Sequence, residues 1–151
     1  MVLGEIFPRH GGFESRQQVA ATLEPIDEVH TTCADLARNV YEKGMSILRP
    51  GVSFLTMEAV IKEAGYWHIA PMIRSLPSLA WAGGIEEPAG ASTGKGARQN
   101  QDLVIESGMV FELEPNAQCS NHRVNIGGTV MVAGPGVEEL NVFPTRMRVV
   151  R

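Results

Sequence analysis

The stretch "GMVFELEP", residues 108 to 115, holds the most chemically pointed side chains in the chain. Strand alternation puts Glu112 and Glu114 on one face, and Pro115 restricts the backbone directly after Glu114. A carboxylate fixed in this way can ligate a divalent metal, transfer a proton, or pair with a cation. Alternation alone leaves Glu114 free to face solvent, although Val110, Phe111 and Leu113 cannot all be buried opposite the two glutamates. Nearby, "VNIGGTV" at 124 to 130 offers two glycines and no carboxylate.

The remaining candidates carry weaker signals. His10, His30, His68 and His122 are scattered, no two at metal-ligand spacing, and are expected to be surface or core residues. His68 lies close to the candidate cleft. Glu86 and Glu87 read as a loop-face pair rather than an acid/base dyad, and Trp67 and Trp81 as packing residues. "AGASTGKG" imitates a phosphate loop, but Ala89 stands where the motif needs its first glycine and Gly96 follows Lys95 where Ser or Thr belongs. Cys33 and Cys119 are lone thiols, expected to behave as small hydrophobes in a reducing cytoplasm.

Composition narrows the class. A chain of 151 residues, 44% hydrophobic and 20% charged, suits one soluble α+β domain. The 13 basic residues are dispersed and the net charge is −4, which argues against nucleic acid as a partner. No stretch nears the roughly 20 apolar residues that span a bilayer, so a membrane is not expected as a partner either. The N-terminus lacks a signal-peptide pattern, and the expected location is cytoplasmic.

The elements that must position these residues follow from period and punctuation. "LGEIF" and "QQVAATL" flank a Pro/Gly cluster and predict a hairpin over 3–22. Ile26, Val29, Cys33, Leu36, Val40 and Ile47 keep helical spacing, predicting a helix over about 25–48 that "LRPG" ends. Ser53 is a plausible cap for a second helix over 53–64, stopped at Gly65. A strand at "WHIAPMI", a polar loop over 83–103 and strands across 108–151 complete the α+β order.

The order of "LRPGVSF", "GY", "IRSLP", "EEP", "GMVFELEP", "NIGGTV" and "GVEELN" resembles the pita-bread fold family of methionine aminopeptidase, Xaa-Pro peptidases and creatinase. "GMVFELEP" is the most specific of these pieces. The resemblance spans nearly the whole chain but only the C-terminal part of that family's domain, because the hairpin expected to close its first half here opens the chain. It implies a partial pita-bread fold, long helices on a curved and mostly antiparallel sheet. It also implies an exposed surface, so a homodimer or a complementing chain is expected.

The family's hydrolases hold two divalent metals such as Mn, Co or Zn with two Asp, one His and two Glu. Transferred by motif, those five positions fall on Glu5, Arg16, Arg74, Glu114 and Gly127. Two acids survive, two ligands have become cations, and one position has no side chain. An Arg about 4 Å from a divalent ion adds repulsion of about 8 kcal/mol at an effective dielectric near 20. No metal cofactor is therefore expected. The resemblance implies a degenerate member that binds a peptide, a small molecule or a protein, with Arg16 and Arg74 pairing to Glu5 and Glu114. It leaves two alternatives open: a metal-free, creatinase-like C–N hydrolase using Glu114, or a fragment of an Xaa-Pro dipeptidase-like hydrolase. If any catalysis survives, Glu114, Glu5, Arg74, Arg16 and His68 are its candidates.

Overall fold

The computed structural model describes residues 1–10, 13–53, 56, 72–76, 104–119 and 121–151. The chain opens with β1 (Val2–Ile6), a short ladder of β2 (Arg9–His10) with β3 (Phe13–Glu14), and β4 (Gln17–Leu23). β1 and β4 pair antiparallel with Glu5 opposite Gln18. All five β1 residues are exposed, so this edge leaves Val2, Leu3 and Ile6 uncovered along with the following Phe7.

Helix α1 (Glu28–Ile47) starts at Asp27, whose side chain accepts the Val29 N–H at 2.8 Å. That contact satisfies one of the amides a helix start leaves bare and contributes about 1 kcal/mol. Leu48 closes the other end, its N–H donating to the Gly44 carbonyl. The buried face is Cys33, Ala34, Ala37, Val40, Tyr41 and Gly44. It is rotated from the expected stripe: Ile26 precedes the helix and is exposed, while Val29, Leu36 and Ile47 are only partly buried. Small residues carry the contact because the backbone comes close. A Cβ on Gly44 would already stand 3.3 Å from the Leu113 side chain.

Six strands follow in the C-terminal part beyond β5 (Met72–Leu76): β6 (Val110–Glu114), β7 (Asn116–Cys119), β8 (His122–Asn125), β9 (Gly127–Ala133), β10 (Gly136–Glu139) and β11 (Arg148–Val150). The main sheet runs β1-β4-β9-β6-β5, with β10 on β9 and β11 on β4. Every pairing is antiparallel except β4 with β11. β7 and β8 make a separate hairpin against α1. Gly134 opens the two-residue β9–β10 loop at φ 56°, a conformation glycine adopts without steric cost.

Within the expected strands across 108–151, "HRVNIGGTVMV" carries two, β8 and β9, split at Ile126. In the expected second helix, Ser53 Oγ accepts from Thr56 N–H at 3.2 Å, as a cap would. The rest of that helix lies outside the described residues, as do the 83–103 loop, His68 and both tryptophans.

Candidate functional site

β6 is an interior strand, flanked by β5 and β9, and it is buried on both faces. Phe111 and Leu113 join the apolar core that α1 covers. Glu112 and Glu114 occupy the opposite face, yet they are only 0% and 3% exposed. Thr129 on β9 and Gln18 on β4 are buried on the same face, while Gln17, its neighbour on β4, is buried on the other. A sheet face this polar and this buried is unusual, because each group removed from water requires a partner inside the protein.

Register explains how the sequence assembles it. Thr129 stands opposite Glu112, and Arg74 stands opposite Glu112 from the other side. Arg16, one residue before β4, exchanges two hydrogen bonds with Thr129. Its N–H donates to Thr129 Oγ1 at 2.8 Å, and Thr129 Oγ1 donates to the Arg16 carbonyl at 3.0 Å. Arg16, Thr129, Glu112 and Arg74 therefore form one cross-strand row.

Along this row the Arg16 Nε lies 3.1 Å from Glu112 Oε1, and its guanidinium sits 4.7 Å from the Phe7 ring centre. Glu112, which was not among the acids expected to pair with Arg16, is thus one that it meets. Glu5 is exposed on the edge strand with Gln18 as its ladder partner. Glu114 is buried next to Gly127.

The two glycines have steric reasons. A Cβ on Gly127 would fall 2.3 Å from the Leu113 carbonyl oxygen and 2.9 Å from Glu114 Cα. Both are backbone atoms of the neighbouring strand. A Cβ on Gly128 would fall 2.1 Å from Asn141 Oδ1. The Asn141 amide accepts from Thr129 N–H at 3.0 Å and donates to Tyr41 Oη at 3.1 Å. Tyr41 Oη in turn donates to Glu139 Oε1 at 2.8 Å. The site floor is tied to α1 through this chain.

Burial, and then the negative charge of Glu139, push the Tyr41 phenol well above its ordinary value. The neutral phenol is the form the fold favours. Its contribution is complete below about pH 10, the unfolded value, and is lost as pH rises toward the folded one. The urea midpoint of the parent is therefore expected to fall more between pH 9 and pH 11 than that of Tyr41→Phe. Equal falls would remove Tyr41 as the source.

A cleft of about 170 Å³ opens beside Arg16, walled by Ile6, Pro8, Leu140, Val142 and Phe143. Gln17 anchors one wall, its Nε2 donating to the Phe143 carbonyl while its Oε1 accepts from the Phe143 N–H. Gln18 Oε1 is buried with no hydrogen-bond partner among the described residues. The cleft thus offers a cation and an apolar wall, and Gln18 follows Arg16 by two residues in the chain.

Of the positions the resemblance assigns to ligands, Arg16 lies 3.1 Å from Glu112, and a Cβ at Gly127 would meet the β6 backbone. Elsewhere the expectation of scattered histidines is corrected. His30 and His122 pack edge to face at 4.7 Å, and Asp27 joins them. The pairing escapes a linear reading because 92 residues separate the rings and only β8 brings them together.

No family model matches the chain. Among curated proteins it is similar to creatinase of a Bacillus species, 22% identical over 143 residues, covering 91% of this chain and 35% of that protein. Among solved structures it is similar to an X-Pro aminopeptidase from Thermotoga maritima at TM-score 0.70 and 17% identity, over 98% of this chain and 41% of the other. A dipeptidase from Pyrococcus horikoshii reaches 0.73 at 18% identity, over 97% and 40%. Methionine aminopeptidase from Thermotoga maritima gives 0.67 at 16% identity, over 90% and 61%. The chain spans about two fifths or less of the first three of these proteins. No helix among the described residues is long and apolar enough to cross a membrane.

Proposed function

We propose that this chain, which has the pita-bread fold of Xaa-Pro peptidases, creatinase and methionine aminopeptidase, binds a peptide or small amide ligand and does so without the family's metal pair. One observation carries the reading. The Arg16–Glu112 ion pair stands, in a buried polar row, where the family resemblance places a metal-bound acid. Positive charge is retained there by a guanidinium, a group that holds carboxylates and amide oxygens through directed N–H donors. The adjoining cleft supplies an apolar wall, and buried Gln18 supplies an acceptor for a ligand N–H.

The likeness to creatinase favours a second reading, hydrolysis of a C–N bond with Glu114 as a proton-transfer group. Turnover separates the two. Full-length chain incubated with a Xaa-Pro dipeptide, with and without Mn²⁺, is expected to release no product, and likewise with creatine. Mn²⁺-dependent cleavage of the dipeptide would overturn the binding reading. Cleavage of creatine that survives a chelator and is lost in Glu114→Gln would install the second.

A further inference from the structure

We propose that Asp27, His30 and His122 form a Zn²⁺ site, separate from the polar row, that clasps the start of α1 to the β7–β8 hairpin. Asp27 is the helix cap and His30 lies three residues on, so both side chains share one face of the first turn. His122 begins β8 and reaches the same point from across the hairpin. One ligand atom from each lies within 4.8 Å of the others, and His122 Nε2 stands 3.7 Å from Asp27 Oδ2.

A tetrahedral ion with bonds of about 2.0–2.1 Å needs ligand atoms roughly 3.4 Å apart. The His122–Asp27 pair is nearly there, and the wider separations close by side-chain rotation. Room for that rotation exists, since the Asp27 and His122 side chains are 51% and 36% exposed. The two rings lie 4.7 Å apart, centre to centre, at 74°.

Donor type sets the ion. Two imidazoles and one carboxylate suit zinc and its first-row neighbours, whereas Mg²⁺ and Ca²⁺ prefer oxygen alone. Three protein ligands leave a coordination position for water. Asp27 is already oriented: Oδ1 accepts the Val29 N–H, which leaves Oδ2 toward His122. A helix start carries about half a positive charge, and the full negative charge of Asp27 outweighs it. His122 Nδ1 is buried with no hydrogen-bond partner among the described residues. Ligating histidines usually have such a partner on the second nitrogen, so binding in the micromolar range is expected rather than tighter.

A plain His–Asp surface pair beside a stacked ring is the competing account, and zinc titration of the full chain by calorimetry decides between them. One Zn²⁺ per chain is expected, with Mg²⁺ giving no heat at equal concentration. His30→Ala and His122→Ala should each weaken binding by more than about tenfold, the least expected from losing an inner ligand. Asp27→Asn keeps the cap while removing the charge, and it should weaken binding without unfolding the helix. In NMR the ring signals of His30 and His122 should move with zinc while that of His10 stays. Absence of saturable zinc overturns the site, and so does zinc binding that survives His122→Ala. Zinc that survives His122→Ala but disappears in Glu114→Gln would overturn the metal-free reading of the polar row as well.

Discussion

Gly127→Glu, which restores the carboxylate that the family resemblance implies, is expected to destabilise the protein by about 3 kcal/mol or more and to gain no metal affinity. Overfilling a packed interior typically costs about 1–3 kcal/mol. Here the obstruction is backbone: the new Cβ meets the Leu113 carbonyl oxygen at 2.3 Å and Glu114 Cα at 2.9 Å. Neither atom can rotate aside. Relief requires β9 to move away from β6, and their ladder from Val110–Met131 to Leu113–Gly128 holds the two strands in register. The carboxylate would then also sit beside buried Glu114, adding like-charge repulsion. Urea unfolding measures the loss as a fallen midpoint at unchanged slope. A variant as stable as the parent that binds Mn²⁺ would show that the strands part readily at this point, and the steric account of Gly127 would fail.

This clash marks where the sequence stops being informative. The motif at 124 to 130 shows that a ligand is missing, but the approach of β6 within van der Waals range of Gly127 is a property of the assembled sheet. Glu114 is legible from its phrase, and the hairpin from its turn cluster and alternating residues. Glu112 is not, because alternation puts it on a face that looks solvated, whereas the folded chain leaves it 0% exposed. The helix face is misjudged for a related reason. Ile and Leu are assumed to mark the buried stripe, whereas close approach selects Ala34, Ala37 and Gly44. His30 with His122 is a contact between distant segments, set by the docking of β7–β8 on α1 rather than by spacing. Local signals identify elements well. Which polar residues meet depends on register between strands far apart in the chain.

That register makes Arg16 and Glu112 the most consequential pair in the molecule, and their loss should be unequal. Arg16→Met is expected to cost about 3–5 kcal/mol, the range for breaking a buried ion pair by removing one partner. Glu112 would keep its charge at 0% exposure after losing the guanidinium 3.1 Å away. Glu112→Gln should cost less, about 1.5–3 kcal/mol, the worth of a hydrogen bond to a charged group. Arg16 retains access to solvent through its 20% exposed side chain and keeps the Phe7 ring beneath it. The double variant should be more stable than Arg16→Met alone, because neutralising Glu112 removes the charge whose burial is costly. A coupling of about 0.5–3 kcal/mol in a double-mutant cycle, read from urea midpoints, is the expected result. If the single costs are equal and simply add, the pair is no more than two neighbours. The positive charge at position 16 would then serve the ligand alone and contribute nothing to holding the fold.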